Sequence, residues 1–183
     1  MNATQTDPLL WGKEIKLFDG TRHEDNATRQ EFITMLHRLH NLRTASKVSN
    51  EAVEKPLSFI DNELDILYRI AWAEARGEDD KGLILVINVI MNRVNSSAFP
   101  NQNTVKDVVF APNQFSPITN GSFDRATPDN RIKSAVHRAL QGEDYSRGAT
   151  FFRSVRNAEG SWHERTLNRI FTHGNHHFYT PRR

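Results

Sequence analysis

Residues 67–78 read Leu67-Tyr68-Arg69-Ile70-Ala71-Trp72-Ala73-Glu74-Ala75-Arg76-Gly77-Glu78. If this run is a helix, the side chains one and two turns before Glu74 are all apolar: Ala71, Ile70 and Leu67. Because apolar surroundings disfavour a charged carboxylate, we expect the pKa of Glu74 to be raised. Gly77 is a natural helix end, so Glu74 would lie in the last turn, where the helix dipole also favours the protonated form. The run therefore predicts a general acid on a buried helix.

Glu74 also has a simpler interpretation. A Glu on a helix is usually a solvated surface residue, and Arg69 or Arg76 could pair with it. Glu78 follows four residues later, which on an unbroken helix would bring two carboxylates together as in many glycosidases. Since Gly77 is expected to end the helix between them, a two-carboxylate mechanism is the less favoured alternative.

Composition limits the classes of protein to consider. The 183 residues are 37% hydrophobic and 25% charged, which fits one globular domain with an appended segment. The absence of cysteine excludes disulfides, a thiolate nucleophile and a cysteine-ligated zinc. With 24 Lys and Arg against 22 Asp and Glu, the charge suits an anionic partner such as nucleic acid or cell-wall polymer but identifies none.

Neither a leader nor a membrane span is visible in the sequence. The N-terminus lacks a charged start followed by an apolar run, and no stretch reaches the roughly 20 apolar residues of a membrane helix. We therefore expect no membrane span. If the protein acts outside the cytoplasm, we expect something other than its own leader to deliver it.

The N-terminal part differs in pattern from the remainder. Residues 1–27 are polar and predict an extended arm, and a capping box at Thr28 begins a predicted helix over about 29–43. Residues 45–55 are rich in Ser, Asn, Lys and Glu and predict a linker that ends at Pro56. We therefore divide the chain into an N-terminal arm and helix, 1–55, and a main domain, 56–183.

Helices dominate the first half of the main domain. Asp61 can cap the helix that carries Glu74, and apolar residues cover most of its surface. The run 82–94 is rich in β-branched residues but too long for a typical strand, so we predict a buried helix. Asn88 and Asn92 lie one turn apart in it, either as satisfied core amides or as amides that border a cleft beside Glu74.

The second half combines helices with a small sheet. We predict a short helix over 104–110, a polar loop over 111–121, and a helix that begins at Thr127-Pro128 and ends at Gly142. Aromatic runs at 149–152 and 176–180 predict two paired strands. The fold class is therefore α+β, a mostly helical lobe with a small antiparallel sheet near the C-terminus.

Other chemistries have little support in the sequence. The histidines at 163, 173, 176 and 177 show no ligand spacing typical of a metal, and His176 and His177 would point to opposite faces of a strand. There is no Gly-x-Ser-x-Gly elbow and no phosphate-binding glycine loop. The basic residues of the predicted helix 29–43 more often form a solvated face than a nucleic-acid site. We expect no metal, no cofactor and no nucleic-acid partner.

Several motifs together resemble a known family. They are Ala73-Glu74-Ala75-Arg76-Gly77-Glu78, Asn88-Val89-Ile90-Met91-Asn92-Arg93-Val94, Phe99-Pro100, Val108-Val109-Phe110, Gln114-Phe115-Ser116 and Gly148-Ala149-Thr150-Phe151-Phe152. In order and spacing they resemble the cell-wall hydrolases of the spore cortex-lytic type, SleB and CwlJ. The resemblance covers roughly residues 64–180, and the N-terminal segment lies outside it.

The resemblance implies a lysozyme-related helical lobe and a lytic transglycosylase without cofactor. Such an enzyme cleaves the β-1,4 bond between N-acetylmuramic acid and N-acetylglucosamine and leaves 1,6-anhydromuramoyl ends. The catalytic Glu of the family falls on Glu74. From loop position and residue type we expect sugar contacts in two groups, hydrogen bonds from Gln114, Ser116 and Asn88, and stacking walls from Phe115, Phe152 and Tyr179.

Two other classes of protein are compatible with these residues. A muramidase that activates water would need a second carboxylate such as Glu78 or Asp124, and a wall-binding or virion structural protein would need none. The expected partners are glycan strands, with a protein partner docking on the N-terminal segment. The missing leader fits either a phage-encoded endolysin or virion-associated enzyme, or a spore-associated protein.

Overall fold

The computed structural model describes residues 51–182, with side chains described from Asn62 onward. Helix α1 covers Glu51–Ala75, so the predictions of a linker at 51–55 and of a helix cap at Asp61 are wrong. Pro56 removes one backbone donor, but the neighbouring Glu, Ala, Lys and Leu residues are strong helix formers. The predicted arm, the helix over 29–43 and residues 45–50 lie outside the described residues. The domain boundary near Pro56 stays a prediction.

Helix α1 ends at Ala75, which confirms that Glu74 lies in its last turn, ahead of Gly77. Helix α2 follows over Asp80–Val94 and confirms the prediction of a buried helix instead of a strand. Asp79 caps it, because its carboxylate accepts a hydrogen bond from the Gly82 amide at 2.7 Å. Nearly all residues of α2 are buried, so this helix is the centre of the core.

Three shorter helices follow: α3, Val105–Val109; α4, Ser116–Thr119; and α5, Asn130–Leu140. Helix α3 agrees with the predicted short helix, whereas α4 lies inside the predicted loop, where Pro117 suits a first helical turn. Helix α5 buries the predicted apolar face. It begins after Asp129 instead of at Pro128, because the Asp129 carboxylate caps the Ile132 amide at 2.9 Å.

The C-terminal part is a three-stranded antiparallel sheet in the order β1-β3-β2. Its strands are β1, Phe151–Ser154; β2, Leu167–His173; and β3, His176–Pro181, with a one-turn helix α6, Trp162–Thr166, before β2. The predicted pairing of the two aromatic runs is confirmed, with Phe151 opposite Tyr179. Strand β2 was not predicted, because a register irregularity between Arg169 and Phe171 disturbs its alternation.

The sheet packs on α2 through a small apolar cluster. Leu85 and Val89 of α2 are fully buried with Ala149 and Phe178, and partly buried side chains of β1 and β2 surround them. This arrangement confirms the predicted fold class, a mostly helical lobe with a small antiparallel sheet. Among the described helices, none combines the length and the apolar character that crossing a bilayer requires.

Candidate active site

A cavity of about 290 Å³ lies at the end of α1. Its walls come from the last turn of α1, the segment that leads into α4, strand β1 with the turn after it, and the start of β3. The lining residues are Glu74, Asn113, Gln114, Phe115, Ser116, Thr119, Phe152, Arg153, Ser154, Asn157 and His176. The structure therefore brings Glu74 together with four of the predicted sugar-binding residues, Gln114, Phe115, Ser116 and Phe152.

Glu74 is the one carboxylate among the described residues that line this cavity. Burial raises the pKa of Glu74 to about 7, because the charged form loses its hydration, and the positive charge of Arg153 acts in the opposite direction. Near neutral pH the carboxyl group is thus available in both protonation states. A group in this condition can give a proton and take one back.

The two arginines that could have neutralised Glu74 have other partners. Arg69 forms an ion pair with Asp65 at 2.6 Å. The guanidinium of Arg76 lies over the ring of Trp72, 4.2 Å from its centroid. The structure therefore does not support the interpretation of Glu74 as a surface ion-pair residue.

Aromatic side chains form the apolar wall of the cavity. The ring centroid of Phe152 is 6.0 Å from that of Phe115 and 5.1 Å from that of His176. On the adjacent position of β1, Arg153 is exposed, and its Nε donates a hydrogen bond to the carbonyl of Asn157 at 3.1 Å. The cavity thus presents a ring-lined wall beside polar groups, a combination common where proteins bind sugars and other small polar ligands.

The side chain of Gln114 is hydrogen-bonded to a buried residue. Its Oε1 accepts a hydrogen bond from Nη1 of Arg93, which is 5% exposed. Nε of Arg93 donates to the Thr150 carbonyl at 2.5 Å. The guanidinium lies against the rings of Phe99 and Phe151, at 5.3 and 4.5 Å from their centroids. The position of Gln114 in the cavity is therefore coupled to the end of α2 and to β1.

Glu78 lies elsewhere, at the turn between β2 and β3. Its carboxylate accepts hydrogen bonds from the backbone N–H of Asn175 at 3.2 Å and from Nδ2 of Asn175 at 2.9 Å, and Nδ1 of His176 is 3.7 Å away. Burial lowers the pKa of His176, so this imidazole is mainly neutral at pH 7. Glu78 does not line the cavity, and the described structure does not present it with Glu74 as a catalytic pair.

Two of the predicted sugar-binding residues lie outside the cavity lining. Asn88 donates to the carbonyl of Glu143 at 3.0 Å and accepts from the amide of Tyr145 at 3.3 Å, so it is the satisfied core amide of the first interpretation. Tyr179 is fully buried, and its hydroxyl donates to Glu164 at 2.7 Å. Both side chains use their hydrogen-bonding groups within the fold.

The sequence analysis missed several lining residues, namely Asn113, Thr119, Arg153, Ser154, Asn157 and His176. His176 was considered only as a metal ligand, and a structural role was preferred. Arg153 and Ser154 follow Phe152 directly, so the polar end of an aromatic strand was the available signal. Within residues 51–182, no group of three or more His, Cys, Asp or Glu side chains is arranged to hold a metal ion.

Known proteins match the part of the chain that contains most of this cavity. A family model described as cell wall hydrolase matches residues 77–179, more than half of the chain, and begins just after Glu74. The spore cortex-lytic enzyme of Halalkalibacterium halodurans is 36% identical over 112 residues, which are 61% of this chain and 33% of that protein. The chain thus spans about a third of the length of this curated relative.

Solved structures also match. The crystal structure of the catalytic domain of the Bacillus cereus SleB protein has a TM-score of 0.58 and 32% identity, and the match covers 66% of this chain and 91% of that one. The catalytic domain of the germination-specific lytic transglycosylase SleB from Bacillus anthracis also has a TM-score of 0.58, with 33% identity and coverages of 65% and 94%.

Proposed function

The chain belongs to the cell wall hydrolase family, and from this we propose that it cleaves the β-1,4 bond between N-acetylmuramic acid and N-acetylglucosamine in peptidoglycan. We further propose that it does so as a lytic transglycosylase with Glu74 as its acid and base. The observation that carries the proposal is the raised pKa of Glu74 in a cavity in which no other described lining residue is a carboxylate.

The proposed reaction needs one proton-transfer group. Protonated Glu74 donates its proton to the glycosidic oxygen, the bond from that oxygen to C1 of the muramoyl residue breaks, and N-acetylglucosamine leaves with a free hydroxyl. The C6 hydroxyl of the muramoyl residue then attacks C1, and the Glu74 carboxylate accepts its proton. The product is a 1,6-anhydromuramoyl end, and Glu74 is protonated again. A pKa of about 7 suits both steps near neutral pH.

The surroundings of Glu74 support the one-carboxylate form of this chemistry. An inverting hydrolase would need a second carboxylate across the bond to activate water, at about 6.5–9.5 Å. Glu78 is instead hydrogen-bonded to Asn175 and, although its carboxylate lies 3.7 Å from the lining residue His176, it does not itself line the cavity. We assign sugar binding to Gln114 and Ser116 by hydrogen bonds and to Phe115 and Phe152 by apolar contact.

The names of the relatives support a proposal about where the reaction takes place. The names of the matched proteins refer to spore cortex and germination, so we propose a spore-associated wall substrate. They give no support to the phage or virion setting that the sequence also allowed. A protein partner for residues 1–55 remains our proposal from the sequence.

Mass spectrometry of digested peptidoglycan tests the proposal. Purified spore peptidoglycan is incubated with the wild type, with Glu74→Gln, and with Glu159→Gln, which makes the same chemical change at an exposed site outside the cavity lining. We expect muropeptides lighter by one water molecule than their hydrolysed counterparts from the wild type and from Glu159→Gln, and none from Glu74→Gln. Reducing ends would instead identify a hydrolase, and a lack of any release would contradict the proposed cleavage and favour a wall-binding or structural role.

A further inference from the structure

Arg93 is a buried cation that the described part of the chain does not pair with an anion. No carboxylate among the described residues lies within ion-pair distance of its guanidinium. Burial lowers the pKa of Arg93 to about 10, which leaves it charged at neutral pH. Its charge is stabilised by hydrogen bonds to two uncharged oxygens, from Thr150 and Gln114, and by the faces of two aromatic rings.

The contact with Arg93 determines which end of the Gln114 amide faces the cavity. A guanidinium has five N–H donors and no acceptor, so the Gln114 atom that meets it must be the oxygen. The nitrogen Nε2 is then directed away from Arg93, on an exposed side chain that lines the cavity. Within the described part of the chain, its one hydrogen bond is a long one, 3.5 Å to the carbonyl of Pro112. Gln114 therefore offers the cavity N–H donors in a fixed orientation.

We propose that Arg93 is a positioning residue that makes Gln114 a dedicated donor to the acetamido carbonyl oxygen of a sugar bound beside Glu74. The rings of Phe115 and Phe152 line the same cavity, and their apolar surface suits the acetamido methyl group. This inference rests on the proposed function, because an N-acetylated glycan supplies both the carbonyl and the methyl group.

The variant Gln114→Glu reverses the polarity of this contact without removing its anchor. A carboxylate can still accept from Arg93, now as an ion pair, but it presents the cavity with an acceptor where the substrate also has one. On soluble glycan strands we expect KM to rise roughly tenfold to a hundredfold, with the melting temperature not lowered. The matched control is Gln141→Glu, which adds the same charge at an exposed position outside the cavity lining. An unchanged KM for Gln114→Glu would overturn the proposal.

Glycan strands whose sugars have been chemically N-deacetylated test the identity of the acceptor. We expect deacetylation to raise the KM of the wild type but not that of Gln114→Glu, because the acetamido contact is already lost and the exposed ammonium group attracts the introduced carboxylate. If the penalty of Gln114→Glu is as large on deacetylated strands as on acetylated ones, Gln114 contacts a different oxygen and the assignment is wrong.

Arg93→Met and Arg93→Lys test the positioning role. Met fills a similar volume without a donor, whereas Lys restores a donor and the charge but not the planar fork. We expect KM to rise about tenfold for Arg93→Met with kcat within about threefold, partial recovery for Arg93→Lys, and a smaller effect of Gln114→Glu in the Arg93→Met background. Equal effects of Gln114→Glu in both backgrounds would mean that Arg93 does not act through Gln114.

A direct readout keeps this inference separate from the proposed function. In the wild type, the side-chain amide of Gln114 should give two resolved and ordered ¹H–¹⁵N signals, which become mobile in Arg93→Met, the variant that offers Gln114 no donor. If the wild type released no muropeptides, the proposed function would fail, and these signals would still decide whether Arg93 orients Gln114. A Gln114 amide as mobile in the wild type as in the variant would overturn the positioning role.

Discussion

The turn between α1 and α2 separates two glutamates whose carboxylates differ in their hydrogen-bond partners. Glu78, after the turn, accepts hydrogen bonds from the backbone and the side chain of Asn175. Glu74, before the turn, faces the cavity, and no described residue donates a hydrogen bond to its carboxylate, whose pKa rises to about 7. A carboxylate with satisfied hydrogen bonds holds two segments together, whereas one that lacks them is available for proton transfer. The comparison predicts opposite consequences when each charge is removed.

The largest expected effect is on activity. Glu74→Gln should lower the rate of glycan cleavage by roughly 10²–10⁴-fold, because the variant has no proton to give or take. Glu78→Gln should stay within about tenfold of the wild type per folded molecule, because Glu78 lies outside the cavity lining. The measurement is muropeptide release from purified peptidoglycan, normalised to the folded fraction by circular dichroism. Equal losses in the two variants would mean that the carboxylates work as a pair.

The next largest effect is on the free energy of unfolding. Glu74→Gln should lower activity, but it should raise stability above neutral pH. The pKa of Glu74 is about 7 in the folded protein against 4.5 for an ordinary Glu, so between these values the folded state binds more protons. The wild type therefore loses stability as pH rises through this range, by at most about 3 kcal/mol. Glu74→Gln removes the loss and should be the more stable protein at pH 8, with no advantage at pH 4. Denaturant unfolding at both pH values provides the measurement, and identical curves at pH 8 would show that Glu74 is not desolvated.

A smaller loss of stability is expected from a change at Gly174, which lies next to the Glu78 carboxylate. Gly174 has φ +51, and a Cβ there would lie 1.7 Å from a Glu78 carboxylate oxygen. Gly174→Ala should therefore cost about 2 kcal/mol, from left-handed strain and from displacement of the Glu78 hydrogen bonds. Gly160→Ala is the matched control, because Gly160 has φ +66 and open space around it, so only the strain remains. If the two variants lost equal stability in thermal unfolding, the Glu78 side chain would move aside without an energetic penalty.

The smallest effect concerns Asp79, which joins the same two segments at the surface. Its Oδ1 lies 2.7 Å from Nε2 of His173 and caps α2. Asp79→Ala should cost about 1 kcal/mol through loss of the cap. Asp79→Asn keeps a capping side chain and loses only an exposed contact with His173, so it should cost no more than a few tenths of a kcal/mol. If the two variants were equally destabilised, the pair with His173 would matter more than the cap.

The parts of the fold that sequence predicted were those with a repeated physical pattern. The length and continuous apolar character of 82–94 identified α2, and the spacing of the apolar face identified α5. The start of α1 was wrong because Pro56 is a weak indicator of a helix boundary when strong helix formers surround it. Strand β2 was missed because its irregular register disturbs the alternation that marks strands.

The candidate site residues likewise include some that a local sequence pattern identified and some that it could not assign. Glu74 was identifiable because its helical neighbours are apolar, and Gln114, Phe115 and Ser116 because they follow one another in a polar loop. Asn88 and Tyr179 could not be assigned, since their hydrogen-bond partners lie far away in sequence, at Glu143, Tyr145 and Glu164. A polar side chain in an apolar element has the same local pattern whether it faces a partner inside the fold or a ligand.

The order of the sheet has a consequence for the timing of synthesis. Strand β3 follows β1 and β2 in the chain but lies between them, and it carries His176, which lines the cavity. When residues up to β2 have left the ribosome, the two outer strands have no partner to pair with, and the wall formed by β1 and β3 does not yet exist. A partly synthesised chain therefore has Glu74 but not the complete cavity, and the activity that we propose requires the last strand to be inserted.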